Sequence, residues 1–212
     1  MRIDFAAARA TMIDSQVRTN DVPDIALQAA MSAAPREVFC PGDRGYLAYA
    51  ETEIEYAPGY WLMTPRDVAK LLYAATPRVG ETALCLAAPY AALVLARLGA
   101  KVTLQLPEGP ALSAVKSALA GEAVAVVGGA LESPACSGFD LVVVEGAVKS
   151  APQAWIDALA PGGRLALVER DGPVGKAFVW VKSPDGAVGR RAVFDATPHV
   201  LPGFSPAPTF AF

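Results

Sequence analysis

The chain has 212 residues, enough for one large domain or for one domain with a helical extension. Hydrophobic residues make up 53% and charged residues 18%, ample material for a buried core. The formal net charge is −3 with 18 Lys+Arg scattered along the chain, which argues against a nucleic-acid surface, and the longest apolar run, residues 83–96, is broken by Pro89 and too short to span a bilayer.

Asp4 precedes an alanine-rich segment, so a helix rather than a leader peptide is expected at the start. Phe5, Ala8, Met12, Ile13 and Val17 keep helical spacing over residues 3–18, and Thr19-Asn20-Asp21 ends that helix. Asp21 is expected to cap a second helix over 24–34, opened by Val22-Pro23 and stopped by Pro35. Residues 36–60 lack long periodicity; short strands are expected at 46–49 and 52–56. A third helix is expected over 64–75, with Thr64 as cap, Pro65 in the first turn, and Val68, Leu71 and Leu72 facing the core.

Residues 81–106 (ETALCLAAPYAALVLARLGAKVTLQL) read as strand, turn, helix, turn, strand. The strands are expected at 82–87 and 101–106, and the helix at 91–98, closed by Gly99. Such a unit is the first half of a nucleotide-binding α/β domain, in which the bend after the first strand holds the ligand. Here that bend is Ala87-Ala88-Pro89-Tyr90, without glycine, and no acidic side chain lies between Glu81 and Glu108.

Further on, a helix is expected at 110–119, a strand at 123–127, and a buried parallel strand at 140–144. A helix at 152–159 is ended by Pro161-Gly162-Gly163, and a strand follows at 164–169. Residues 176–182 and 189–195 form an antiparallel pair around Pro184-Asp185-Gly186, and Phe194, Phe204, Phe210 and Phe212 dock the tail. Cys40, Cys85 and Cys136 are far apart and without CxxC spacing, which favours buried thiols in a reducing cytoplasm over zinc or a disulfide.

Several landmarks together resemble the protein-L-isoaspartate O-methyltransferase family, a branch of the S-adenosylmethionine-dependent methyltransferases. They are Met12-x-x-Ser15-Gln16-Val17-Arg18, Ala30-Met31, Pro35-Arg36-Glu37-x-Phe39-x-Pro41 and Ala48-Tyr49, then Phe139-Asp140-Leu141-Val142-Val143-Val144 and Leu159-Ala160-Pro161-Gly162-Gly163-Arg164-Leu165. The resemblance implies a Rossmann-like class I methyltransferase fold: a three-layer α/β sandwich on a mostly parallel seven-stranded sheet with an antiparallel final strand. Residues 1–76 would form an N-terminal helical extension and substrate-side segment, and residues 77–212 the α/β domain.

The chain departs from the family pattern at two places. The family carries an acidic residue and a glycine-rich turn after the first strand, and a ribose-binding carboxylate at the end of the second. Here Cys85 stands at the first acidic position, Ala87, Ala88 and Pro89 replace the glycines in a turn about two residues short, and Gln105 stands at the ribose position. Loss of a charge-assisted pair there weakens binding by about 1.5–3 kcal/mol. At the substrate end the family serine position is Met63, a poor hydrogen-bond partner, with Thr64 beside it.

The candidate cofactor-binding residues are therefore Cys85, Ala87, Pro89, Tyr90, Gln105 and Glu145, the last at the carboxyl end of its strand; Met63 and Thr64 are the catalytic candidates. His199 is the only histidine and reads as structural. Glu51, Glu53 and Glu55 alternate and would share a strand face, read as solvated rather than as a metal site, and Gly128-Gly129 lacks the Lys-Ser/Thr of a phosphate loop.

The leading expectation is a family member that keeps the fold, has lost or greatly weakened S-adenosylmethionine binding, and serves as a binding or assembly module for a protein partner, as a homodimer through its helical preface. The alternatives are an active carboxyl methyltransferase with an atypical cofactor site, acting on protein L-isoaspartate or another acceptor, and a small-ligand pocket lined by Tyr90, Trp61 and Glu145.

Overall fold

The computed structural model describes residues 3–42 and 44–204. Asp4 accepts a hydrogen bond from the Ala7 amide and starts α1 (Phe5–Met12), which runs on as a π-helical turn (Ile13–Val17) and a 3₁₀ turn (Arg18–Asn20). Asp21 ends that run in a left-handed conformation (φ 60°), so it terminates one helix instead of capping the next. The cap of α2 (Ile25–Ala33) is Asp24, whose carboxylate accepts from the Leu27 amide.

Residues 46–49 do not form the expected strand: Arg44–Leu47 is a 3₁₀ turn, and Tyr49 turns inward. There its hydroxyl donates to Glu37 and accepts from Arg9 and from the Arg36 amide. The one hairpin in this region is β1 (Ile54–Ala57) with β2 (Tyr60–Leu62), closed by Gly59 at φ 79°. Thr64 then caps α3 (Pro65–Ala75) through the Asp67 amide, and Val68, Leu71 and Leu72 are buried.

The alternating region follows as β3 (Thr82–Leu86), α4 (Pro89–Arg97), β4 (Lys101–Leu106), α5 (Pro110–Ala118), β5 (Val124–Gly128), β6 (Phe139–Val148), α6 (Gln153–Asp157), β7 (Leu159–Glu169), β8 (Gly175–Lys182) and β9 (Val188–Ala196). The seven-stranded sheet has the order β5-β4-β3-β6-β7-β8-β9. β8 is antiparallel to both neighbours. The reversed strand is thus the penultimate one, and β9 runs with the rest. Pro161-Gly162-Gly163 does not stand between helix and strand as expected. It lies inside β7, where the pairing with β6 skips from Leu159 to Arg164, and α6 ends at Asp157.

A single cluster of buried residues includes Met12, Leu27 and Met31 of the first helices together with Leu84, Val143 and Leu165 of the sheet. Trp155 is wholly buried; its indole donates to the Leu131 carbonyl and its ring packs 5.2 Å from Phe204. Phe194 is half-buried, while Phe210 and Phe212 lie outside the described residues. Of the cysteines, Cys85 is buried, but Cys40 is half-buried and Cys136 exposed. No helix among the described residues is long and apolar enough to cross a membrane.

Candidate functional site

In a parallel α/β sheet, ligands bind outside the carboxyl ends of the strands, where the order reverses. Here that place lies between β3 and β6, at the turn Ala87-Ala88. The β1–β2 hairpin lies over this edge, and the C-terminal segment closes beside it. Ala147 donates to the His199 carbonyl, the Leu201 amide donates to Ala147, and the Lys149 amide donates to Phe204. Hairpin and tail meet at Gly59, where an added Cβ would lie 3.1 Å from Pro202.

The turn itself is solid. Cys85, Leu86, Ala88 and Tyr90 have no exposure, and Ala87 has 1%. Ala87 nevertheless keeps a backbone that favours glycine, φ 49°, which costs an L-residue about 1–2 kcal/mol. Its conformation is held from outside: the Ala87 amide donates to the Gln105 carbonyl at 3.1 Å, and the Tyr56 hydroxyl donates to the Ala87 carbonyl at 3.3 Å. Burial of the Tyr56 and Tyr90 hydroxyls and of the Cys85 thiol raises all three pKa values, so each stays neutral.

Gln105 is wholly buried, and both ends of its amide are committed. Nε2 donates to the carbonyls of Ala130 (2.7 Å) and Ser133 (2.9 Å), and Oε1 accepts from the Ala135 amide (2.8 Å). Gln105 therefore fastens the loop that follows β5, and a carboxylate could not make the two donations. Gln105→Glu should destabilise the fold by about 1–3 kcal/mol, because two carbonyls lose their donors, and urea denaturation reads the change.

Glu145 is wholly buried at the carboxyl end of β6. Its Oε1 accepts from the Ala91 amide (2.7 Å) in the first turn of α4, and its Oε2 from the Met63 amide (3.3 Å). Burial pushes its carboxyl up to about 7, against those two hydrogen bonds and the nearby Arg36 guanidinium, which favour the charged form.

Arg36, like Glu145, is a charged residue with 0% exposure. Its Nη2 donates to the Met63 carbonyl at 2.6 Å, and its guanidinium lies 5.1 Å from the centroid of the Tyr90 ring. Burial lowers its pKa against the pull of Glu145. A cation thus holds the C=O of Met63 while an anion holds its N–H. In the sequence Arg36 stands out only as part of the Pro35-Arg36-Glu37 stretch, and Tyr56 not at all. No periodicity marks either residue.

Of the candidates, Cys85, Ala87, Pro89, Tyr90 and Glu145 come together, with Met63 joined to them through Glu145. Gln105 meets the group only through its backbone, and Thr64 is occupied as a helix cap. Trp61 is not part of it: its ring stacks on His199 at 3.9 Å, and His199 is bonded to Glu53 at 2.8 Å. Glu51, Glu53 and Glu55 do not share a face; they engage Arg66, His199 and the Gly59 amide respectively. Among the described residues no His/Cys/Asp/Glu group could hold a metal ion.

Among the described residues, cavities open beside Ser133, Cys136 and Asp157 (about 620 Å³), beside Pro41, Arg44, Glu55 and Tyr56 (about 440 Å³) and beside Lys70, Tyr73 and Arg191 (about 410 Å³). The turn between β3 and α4 is buried, the first turn of α4 is taken by Glu145, and Gln105 is spent on the loop that follows β5.

Several known proteins are similar to this chain. Protein-L-isoaspartate O-methyltransferase of Methylorubrum populi is 34% identical over 167 residues, 76% of this chain and 79% of its own length. That of Methylorubrum extorquens is 32% identical over 170 residues, covering 77% and 75%. Among solved structures, a protein-L-isoaspartate O-methyltransferase superposes with TM-score 0.78 at 18% identity, over 93% of this chain and 67% of the other. A Plasmodium falciparum protein described as a beta-aspartate methyltransferase and solved with S-adenosyl-L-homocysteine gives TM-score 0.77 at 12% identity, covering 91% and 97%. These structural likenesses establish the Rossmann-like class I methyltransferase fold. No family model matches the chain.

Proposed function

The chain belongs to the protein-L-isoaspartate O-methyltransferase family, and on that footing we propose that it is a member in which S-adenosylmethionine binding at the family's place is lost or greatly weakened, the fold serving instead as a binding or assembly module for a protein partner. The observation that carries this reading is the solid turn. Residues 85–90 are all buried, and the first turn of α4 is occupied by the chain's own carboxylate. Methyl transfer to a carboxylate depends chiefly on aligning an activated methyl with an oxygen nucleophile, so a chain that cannot seat the methyl donor has little else to catalyse with. Met63, at the serine position, offers a thioether, and its backbone is held on both sides.

Titration with S-adenosylmethionine or S-adenosylhomocysteine tests this. A ligand at about 100 times its dissociation constant raises stability by about 2.7 kcal/mol. The expected result is no shift in melting temperature at millimolar ligand; a clear shift at micromolar ligand would sink the proposal.

A second reading, an active carboxyl methyltransferase with an atypical cofactor site acting on protein L-isoaspartate or another acceptor, is favoured by one observation. Ala87 keeps the left-handed backbone that a cofactor turn uses, although its side chain opposes it. On that reading the covering hairpin moves aside when ligand arrives, and the same titration gives a shift.

A further inference from the structure

The helix α4 has no cap of its own. Ala88 stands at its N-cap and makes no side-chain hydrogen bond, and Pro89 contributes no donor. The first turn is capped instead by Glu145, 54 residues away in sequence. An N-terminal turn of backbone donors attracts an anion, and here the anion is covalently part of the chain. A second set of groups points to the same interior. Arg36 is fully buried, and among the described residues its Nε and Nη1, like the fully buried Tyr90 hydroxyl, find no partner. Buried donors without acceptors are uncommon, and a wholly buried guanidinium with two of them has hydrogen bonds to offer an anion.

We propose that the N-terminus of α4, the Met63 amide and Arg36 together form an anion site of the small-carboxylate class, and that its resident ligand is the chain's own Glu145 carboxylate. Glu145 is then a self-ligand: it holds the site closed from within and ties α4, the segment before α3 and the residues following α2 into one unit. The proposal rests on the reading that the chain fills its own ligand position. Its test uses no S-adenosyl compound, so the two fail separately.

The test removes the self-ligand and supplies the anion from outside. Glu145→Ala vacates the carboxylate position while leaving Arg36 and the two amides in place. Its melting temperature is measured in sodium formate and in sodium chloride at equal ionic strength, beside the wild type and Glu145→Gln. The expected result is that Glu145→Ala melts below the wild type and that about 100 mM formate, but not chloride, raises it by about 2–4 °C. The wild type and Glu145→Gln, whose side chains still fill the position, should show no formate-specific shift. If Glu145→Ala is unfolded in plain buffer, recovery of its circular dichroism by formate supports the proposal. Equal shifts in all three proteins overturn it, as does absence of a formate effect on the melting or refolding of Glu145→Ala.

Discussion

Replacing Arg36 with alanine is expected to lower the unfolding free energy by about 3–5 kcal/mol, the range for leaving a buried charge uncompensated. The guanidinium has no exposure and bonds the Met63 carbonyl at 2.6 Å. Without it that carbonyl loses its donor, and Glu145 remains in the interior with no cation to oppose its charge. In a chain of this size the loss corresponds to a fall in melting temperature of about 10 °C. Urea denaturation at pH 8 reads it, and the loss should be smaller at pH 5, where Glu145 is protonated and no longer needs a counter-charge. A double-mutant cycle with Glu145→Gln should give a coupling of more than about 0.5 kcal/mol, as expected for residues that share a partner, here the Met63 peptide. A loss below about 1 kcal/mol, or one independent of pH, would show that the two charges act separately.

The second large effect is on pH. The Glu145 carboxyl has an ordinary value of 4.5 and is pushed up to about 7 by burial. Between those values the folded protein holds a proton that the unfolded chain has released. Stability from this group is therefore fully present below pH 4.5 and is lost as pH rises through 7. The loss is about 3 kcal/mol at 1.36 kcal/mol for each unit. The groups that face Glu145 are Arg36, Tyr90, Tyr56 and Cys85. Burial keeps Tyr90, Tyr56 and Cys85 neutral through this window, so the titration belongs to the carboxylate beside Arg36. Asp140 works the other way and at lower pH. Hydrogen bonds from Thr82 lower its pKa, so its contribution is present above its unfolded value and disappears only in acid. Denaturation curves from pH 4.5 to 8 should show falling stability in the wild type and a nearly flat profile in Glu145→Gln; a wild type that gains stability over that range would contradict the assignment.

Much of the sheet could be read from the residues. Lys101–Leu106 is a strand with the expected bounds, and Thr64 caps α3 as its position before Pro65 suggested. Both signals are local: β-branched and apolar runs, and a hydroxyl three residues before an amide. The failures are tertiary. Asp21 and Asp24 are both plausible caps in sequence, and only the end of the preceding helix assigns Asp21 to a left-handed terminus. The segment around Tyr46 has strand-like residues, but Tyr49 is drawn inward by Arg9, Glu37 and the Arg36 amide, and the backbone coils before it. Pro161-Gly162-Gly163 looked like punctuation and proved to be a bulge within β7.

Sequence reading expects departures from the family pattern at Cys85, Ala87, Pro89 and Gln105, but not what these residues do in the fold. That Gln105 would spend its amide on Ala130, Ser133 and Ala135 depends on a loop about thirty residues downstream. That Glu145 would reach α4 depends on the pairing of β3 with β6. Arg36 stood in a family landmark, but its burial was not legible, since arginines are ordinarily surface residues.

The left-handed Ala87 has a consequence for the order of folding. Residues 81–106 read as a self-sufficient unit, yet its turn is held by groups that arrive from elsewhere: Tyr56 from the hairpin and Glu145 from β6. A glycine would let the bend form early from local preference, whereas an alanine there resists it until these distant segments have docked. The strands and the body of α4 can assemble first, and the bend between them is completed late. Substitutions at Ala87 and Tyr56 should accordingly change the unfolding rate far more than the folding rate, with φ-values near zero, while substitutions in the middle of β3 and β6 slow folding.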